Sequence, residues 1–384
     1  MTSELKLPAN FEDYTDAKKN GFLRVMKLKE EGKKVVGTFC SYTPSELVMA
    51  ADGVCVGLCG SSEDGIAFAE KTLPKNMCPL IKCSYGLAAS DACPYFYFSD
   101  MILAETTCDG KKKMFELMKK LKPVHVMQLP PGREGTGALD FWEQEIRRAA
   151  LAIGEQLGKE ITEEALHRAI VQKNRERRAM VELYEVGRME PCPVSGYEIS
   201  TIMDSLQFMF TSEEKIKLLE EKRNEFLARA AEDGKGRRKP RIMITGCPTI
   251  GVRDKIIKQA ELLGASVVAF DSCSGPRAQK EAVSESGDPY LALAKKYLNI
   301  NCAVMSPNPG RLDALDEMIA DYRIDGVIEV VLQACHTFAI EAAEVKRFIT
   351  KEKKLPYLYL ETDYSQADSG QIDTRLSAFL EMMQ

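Results

Sequence analysis

The stretch KKVVGTFCSYTPSELVMAADGVCVGLC, residues 33–59, decides the fold. Its first part, KKVVGTFC (33–40), is a short apolar run that reads as a buried strand. Thr43 and Pro44 then cap and open a helix, SELVMAA, because proline's fixed φ suits a first helical turn. GVCVGLC (53–59) is a second strand. Two strands joined through a helix make a β-α-β unit, whose sheet is parallel and covered on both faces. Each of the two strands stops on a cysteine.

The rhythm continues outward. DMILAETTC (100–108) and KPVHVMQLP (122–130) read as further strands, with helices at 62–72, 78–89 and 109–121. From 136 to 232 the pattern becomes long, charged and helical, and its run KNRERR (173–178) reads as a solvated helix face. EDGKGRRKPR (232–241) carries the glycines, charges and proline of a linker. Beyond it RIMITGC (241–247), ASVVAFDSC (265–273), NINCAVMSP (299–307), GVIEVVLQAC (326–335) and PYLYLETD (356–363) read as strands. Helices are expected between and after them, near 251–264, 287–297, 311–323, 337–350 and 369–382. The expected fold is α/β: two Rossmann-like lobes with parallel sheets, joined by a long helical segment. The boundaries are 1–135 for the first lobe, 136–235 for the helical segment and 236–384 for the second lobe.

A chain of 384 residues is too long for one core. A net charge of -5 gives no basic face for nucleic acid. No run approaches the roughly 18 apolar residues of a membrane span. The start, MTSELKLPANFEDY, lacks the basic and apolar regions of a signal peptide, so a cytoplasmic protein is expected. In that reducing compartment twelve cysteines are core residues, reactive thiols or metal ligands rather than disulfides. There is no C-x-x-C pair and there are only three histidines, His125, His167 and His336. Zinc ribbons and ferredoxin loops are thereby excluded, and ligands to any metal must converge from distant segments.

Five strands share one ending: Cys40, Cys108, Cys247, Cys273 and Cys335. In open α/β sheets ligands bind beyond the carboxyl ends of the strands. Cysteines belonging only to the core, as Cys55 and Cys302 do, lie within the segments instead. Small or turn-forming residues flank the sulfurs in Cys108-Asp-Gly, Gly246-Cys-Pro and Cys273-Ser-Gly, letting the backbone approach a bulky ligand. Helices follow Cys40, Cys108, Cys247 and Cys335, and a helix N-terminus favours the thiolate. Cys78 lacks a strand before it, but Pro79 opens a helix directly after. Six thiolates favour iron and sulfide over zinc, which needs four at most. LAETTCDGKKKM (103–114) is a near miss for a phosphate loop, since Glu105 stands where its first glycine belongs and Lys112 replaces the hydroxyl residue. Its lysines read as a solvent-side helix start whose charge offsets that of a cluster.

TFCSYTPSEL, MCPLIKCSYG, CPYFYFSDMILAETTCDGKKKMFELM, KPVHVMQLP, ITGCPTIG and VLQACHTFAIE together resemble the 2-hydroxyacyl-CoA dehydratase and benzoyl-CoA reductase family, most closely its double-cubane cluster proteins. The resemblance implies an oxygen-sensitive iron-sulfur cluster and a separate ATP-hydrolysing activator, itself an iron-sulfur protein, that delivers single electrons at low potential. In the dehydratase branch each subunit holds one 4Fe-4S cluster on three cysteines, for which Cys78, Cys108 and Cys335 are the counterparts. In the double-cubane branch a homodimer holds an 8Fe-9S cluster on six cysteines per subunit, which adds Cys40, Cys247 and Cys273. Cys59 and Cys93 stand in reserve, while Cys55, Cys83, Cys192 and Cys302 are structural.

His336, which follows a ligand and opens a helix, is a candidate proton donor, with a purely structural hydrogen bond as the alternative. Gln333 and Lys82 are candidates to donate hydrogen bonds near sulfide. His125 is placed at a strand end, and TDYSQADSGQ (362–371) reads as a loop. The reading that follows is an iron-sulfur reductase component acting on a small molecule. A 2-hydroxyacyl-CoA dehydratase subunit and a non-catalytic electron carrier or scaffold are the alternatives.

Overall fold

The structure, a computed structural model, describes residues 5–232, 238–273 and 275–383. The chain forms two compact units, Met1–Gln172 with Val283–Leu298, and Lys173–Ala282 with Asn299–Gln384.

The first unit is built on strands β1 (Lys34–Thr38), β2 (Gly53–Gly57), β3 (Met101–Glu105) and β4 (Val124–Met127). The second holds β5 (Arg241–Gly246), β6 (Ser266–Asp271), β7 (Gly326–Leu332) and β8 (Tyr357–Thr362). All pairings are parallel, and the sheet orders are β2-β1-β3-β4 and β6-β5-β7-β8. The two sheets therefore have the same topology. β3, β5 and β7 are buried at every residue, as central strands covered on both faces must be. This is why they read as unbroken apolar runs and not as alternating ones.

The strand expected over 299–307 is absent. The segment turns on itself instead, with Met305 N–H bonded to the Cys302 carbonyl (2.9 Å) and the Asn308 side chain to the same oxygen (3.1 Å). Pro307 and Pro309 lack the N–H groups a ladder needs, and the helix Pro309–Asp321 follows at once. The helix expected over 62–72 is reduced to Ile66–Ala69. Thr43 does not cap the next helix: Pro44 holds the N-cap position, and the Thr43 hydroxyl donates to Glu105 of β3.

The helices of 136–232 are shared by the units. Ala138–Leu157 lies in the first, Ser212–Glu232 in the second, and Glu163–Glu185 runs across the change. The face expected to be solvated at 173–178 is largely interior, since Asn174, Glu176 and Arg177 are all buried. The helix Pro289–Leu298 belongs to the first unit and packs on Ala138–Leu157. There Arg147 pairs with Asp288 (2.6 Å) and lies over the Tyr290 ring (4.3 Å), while the Tyr297 hydroxyl donates to the buried Glu46 (2.8 Å). Residues 233–237 of the expected linker lie outside the described residues.

Candidate functional site

The cysteines repeat in register. Thr38 of β1 pairs with Gly57 of β2, and Cys40 and Cys59 each stand two residues beyond that row. Thr245 of β5 pairs with Asp271 of β6, and Cys247 and Cys273 again stand two residues beyond. β3 and β7 end at Glu105 and Leu332, with Cys108 and Cys335 each three residues on. Given identical sheet orders, each unit carries three cysteines at equivalent strand ends.

Cys108 and Cys335 occupy the N-cap positions of the helices Asp109–Met118 and His336–Arg347, and the buried Cys78 that of Pro79–Ala89. Their sulfurs thus lie in the positive field of a helix start. Ala334, with φ +57°, turns the chain from β7 into the Cys335 cap. Cys247 continues its strand's ladder, its N–H bonded to the Val330 carbonyl (2.7 Å), and is buried.

In the first unit the thiols share a buried cation. Lys111 is only 9% exposed, contrary to the solvent-side placing expected of it. It falls on the interior stripe of its helix with Met114, Phe115 and Met118. Its Nζ lies 3.4 Å from the Phe39 carbonyl oxygen and 3.9 Å from Cys59 Sγ, and the Cys59 thiol donates to the same carbonyl (2.6 Å). Burial opposes a charge here, but Cys59, Cys40, Cys108 and Glu105 outweigh it and raise the Lys111 pKa. Burial pushes Glu105 up to about 7 against the Thr43 hydrogen bond and Lys111, and among the described residues its second oxygen, Oε2, has no hydrogen-bond partner.

In the second unit the strand ends rest on a buried ionic network. Arg277 donates to Asp271 (2.7 Å at both oxygens) and to the Gly246 carbonyl (3.3 Å), next to Cys247. Arg311 reaches Asp271 (3.4 Å), Glu329 (3.0 Å) and Glu341, and both guanidinium groups lie over Phe338. Burial works against the Asp271 charge, yet the two arginines and Thr245 hold its carboxyl well below the ordinary range. Burial, with the neighbouring Cys273, pushes Cys302 up to about 12, leaving it a neutral thiol. Among the described residues no group of three or more His, Cys, Asp or Glu is arranged to hold a single metal ion.

The remaining candidates lie as follows. His336 is the first residue of its helix and exposed, as is Gln333. Lys82 is engaged with Glu70 (2.9 Å) and the Lys75 carbonyl (3.0 Å). His125 is interior to β4 and not at its end, opposite Leu103. Cys93 accepts from Phe96 N–H (3.4 Å) as the cap of the helix Pro94–Phe98, and burial pushes its thiol up to about 11. The loop after β8 is pinned by Lys255, which donates to the Ser365 carbonyl (2.6 Å) and Asp368 (2.7 Å). Sequence reasoning missed Glu105, a lone acid closing an apolar strand, and the inward face of Lys111. The stripe of Lys111, Met114, Phe115 and Met118 was the available signal for the second.

Two parallel sheets of one order, each with cysteines at its strand ends, define an α/β protein of two Rossmann-like lobes. The chain belongs to the 2-hydroxyacyl-CoA dehydratase family: residues 40–383 match the family model described as 2-hydroxyglutaryl-CoA dehydratase, D-component. It is similar to "Putative dehydratase subunit YjiM" of Escherichia coli (strain K12), with 46% identity over 383 residues covering 100% of both chains. It is also similar to the (R)-phenyllactyl-CoA dehydratase beta subunit of Clostridium sporogenes, 24% identical over 380 residues, 97% of this chain and 98% of that one. A benzoyl-CoA reductase subunit of Thauera aromatica is 22% identical over 344 residues, 87% of each chain. Among the described residues no helix is long and apolar enough to cross a membrane.

Proposed function

We propose that the chain is the low-potential reductase component of an ATP-dependent system, carrying an 8Fe-9S double-cubane cluster on Cys40, Cys78, Cys108, Cys247, Cys273 and Cys335. The observation that carries this reading is the recurrence of strand-end cysteines in two sheets of one topology. The donor set fits iron and sulfide: it is all sulfur, three of its members cap helices, and Lys111 supplies a buried positive charge beside Cys40 and Cys108. When bound, such a cluster supplies single electrons at low potential to a small molecule. The chain's part is to hold the sulfurs, place Lys111 among the thiols of the first unit, and tie the second unit's strand ends to Arg277 and Arg311. The chain acts as a cytoplasmic homodimer under anaerobic conditions, with a separate ATP-hydrolysing iron-sulfur activator as its electron donor. His336 is the proposed proton donor, being exposed beside Cys335, with Gln333 and Lys82 as proposed hydrogen-bond donors.

The names of the relatives favour a second reading, a dehydratase subunit with one 4Fe-4S cluster on Cys78, Cys108 and Cys335. Iron and acid-labile sulfide in anaerobically purified protein decide between them. The iron of an 8Fe-9S cluster per chain is expected, and half that amount favours the dehydratase reading. Cys108→Ser is expected to lose most of the cluster absorbance, whereas Cys302→Ser costs packing and keeps the iron. Equal iron in both variants removes the ligand assignment. A cluster that is reduced reversibly but never turns over a substrate, with activator and ATP supplied, leaves an electron carrier.

A further inference from the structure

Cys59 is not among the six proposed ligands, yet three observations place it with them. Its position two residues beyond the Thr38–Gly57 row is the position of Cys273 relative to Thr245–Asp271. Its sulfur lies 2.6 Å from the carbonyl oxygen of Phe39, the residue directly before Cys40. It is also the sulfur that Lys111 touches, at 3.9 Å.

Lys111 explains why that contact matters. A lysine is almost never fully buried without an opposite charge, because the ion gives up its hydration on burial. Among the described residues the polar contacts of Lys111 are a carbonyl and a sulfur, and neither is a carboxylate. Glu105, the carboxyl that acts on it at longer range, is wholly buried and turns one oxygen to Thr43. Of these groups the one in contact with Lys111 besides the carbonyl is the Cys59 sulfur.

We propose that Cys59 is a sulfur ligand of the first unit's site, taking an iron position otherwise given to Cys40, Cys78 or Cys108, and that Lys111 is the buried cation paired with it. The thiol proton leaves to solvent as the sulfur takes iron, and the hydrogen bond to Phe39 is given up in the same step. Lys111 is a positioning residue: it keeps its charge, and a fixed positive charge beside a cluster makes reduction easier. The proposal rests on the iron-sulfur reading above.

The full chain, purified anaerobically, tests it through four variants. Cys59→Ser is expected to lose iron, while Cys55→Ser, altered inside the same strand, keeps it. Lys111→Met is expected to fold with its circular dichroism unchanged but to shift the cluster's midpoint potential to more negative values, and Lys111→Arg to restore most of that shift. Wild-type iron and an unchanged paramagnetic resonance spectrum in Cys59→Ser overturn the ligand, and an unchanged potential in Lys111→Met overturns the cation. If the wild-type chain binds no iron, the iron-sulfur reading has failed, and the pairing is then read from iodoacetamide alkylation of the iron-free protein. Mapped by mass spectrometry at one pH, alkylation of Cys59 is expected to be several-fold slower in Lys111→Met, with Cys192 unchanged. Equal rates at Cys59 overturn the pairing.

Discussion

Glu176 is 3% exposed and still a carboxylate, flanked by Lys173 (2.5 Å) and Lys215 (3.8 Å) and receiving a hydrogen bond from Ser212 (3.1 Å). Burial raises its pKa, but these partners overcome burial and bring it down from 4.5 to about 2. A folded value below the unfolded one stabilises the fold above the unfolded pKa, and that stabilisation drains away as pH falls from 4.5 towards 2. Glu176→Gln is expected to lose about 3 kcal/mol at pH 7 and to flatten the acid limb of unfolding. Identical urea midpoints for the two proteins at pH 7 would refute the pairing. The same residue marks a limit of reading charges in a row. KNRERR and the lysines after Cys108 look alike in sequence, as charge for solvent, because a one-dimensional run does not say what packs across from it. Glu176 finds two lysines there, and Lys111 finds thiols. The cysteines were easier, since a sulfur at a strand end is marked by the strand before it and the turn or helix after it.

At the scale of elements, the turn at the end of β5 is tightly constrained. Gly246 has φ +108°, and a methyl group there would meet the Val330 carbonyl oxygen of β7. Gly246→Ala is expected to destabilise the protein by about 1–3 kcal/mol, read as a lower denaturation midpoint. Because Cys247 follows directly, its iron-free alkylation rate is expected to change as well, and an unaltered midpoint would show that the turn can relax. The parallel strands were legible because central strands are apolar throughout, and β3, β5 and β7 are such runs. NINCAVMSP was misread for the same reason: Ile300, Cys302 and Met305 are buried, yet as the packed side of a turn rather than as a ladder. The apolar content of a short segment reports its burial, whereas its pairing depends on whether a neighbouring strand has an edge to offer.

At the scale of the molecule, each sheet is complete within its own unit, but the first unit is not continuous in the chain. Its closing helix, Pro289–Leu298, supplies Tyr297 to Glu46, a residue with no exposed surface. Tyr297→Phe removes that hydrogen bond and is expected to cost about 1–2 kcal/mol, measured as a lower unfolding midpoint. No change would mean that the other contacts of Glu46 hold it unaided. Nothing in the spacing of residues 283–298 signals this return, because the helix is as apolar as one packed on the nearer sheet. The return sets a timetable for biosynthesis. Domains generally fold as they emerge from the ribosome, N-terminal ones first. Here the N-terminal unit waits for Leu298, by which point β5 and β6 of the other unit have already been made. The nascent chain therefore carries an unfinished first unit, with one side of Ala138–Leu157 still uncovered from the completion of that helix until Leu298 is made, and that interval is when a chaperone would be most useful to it.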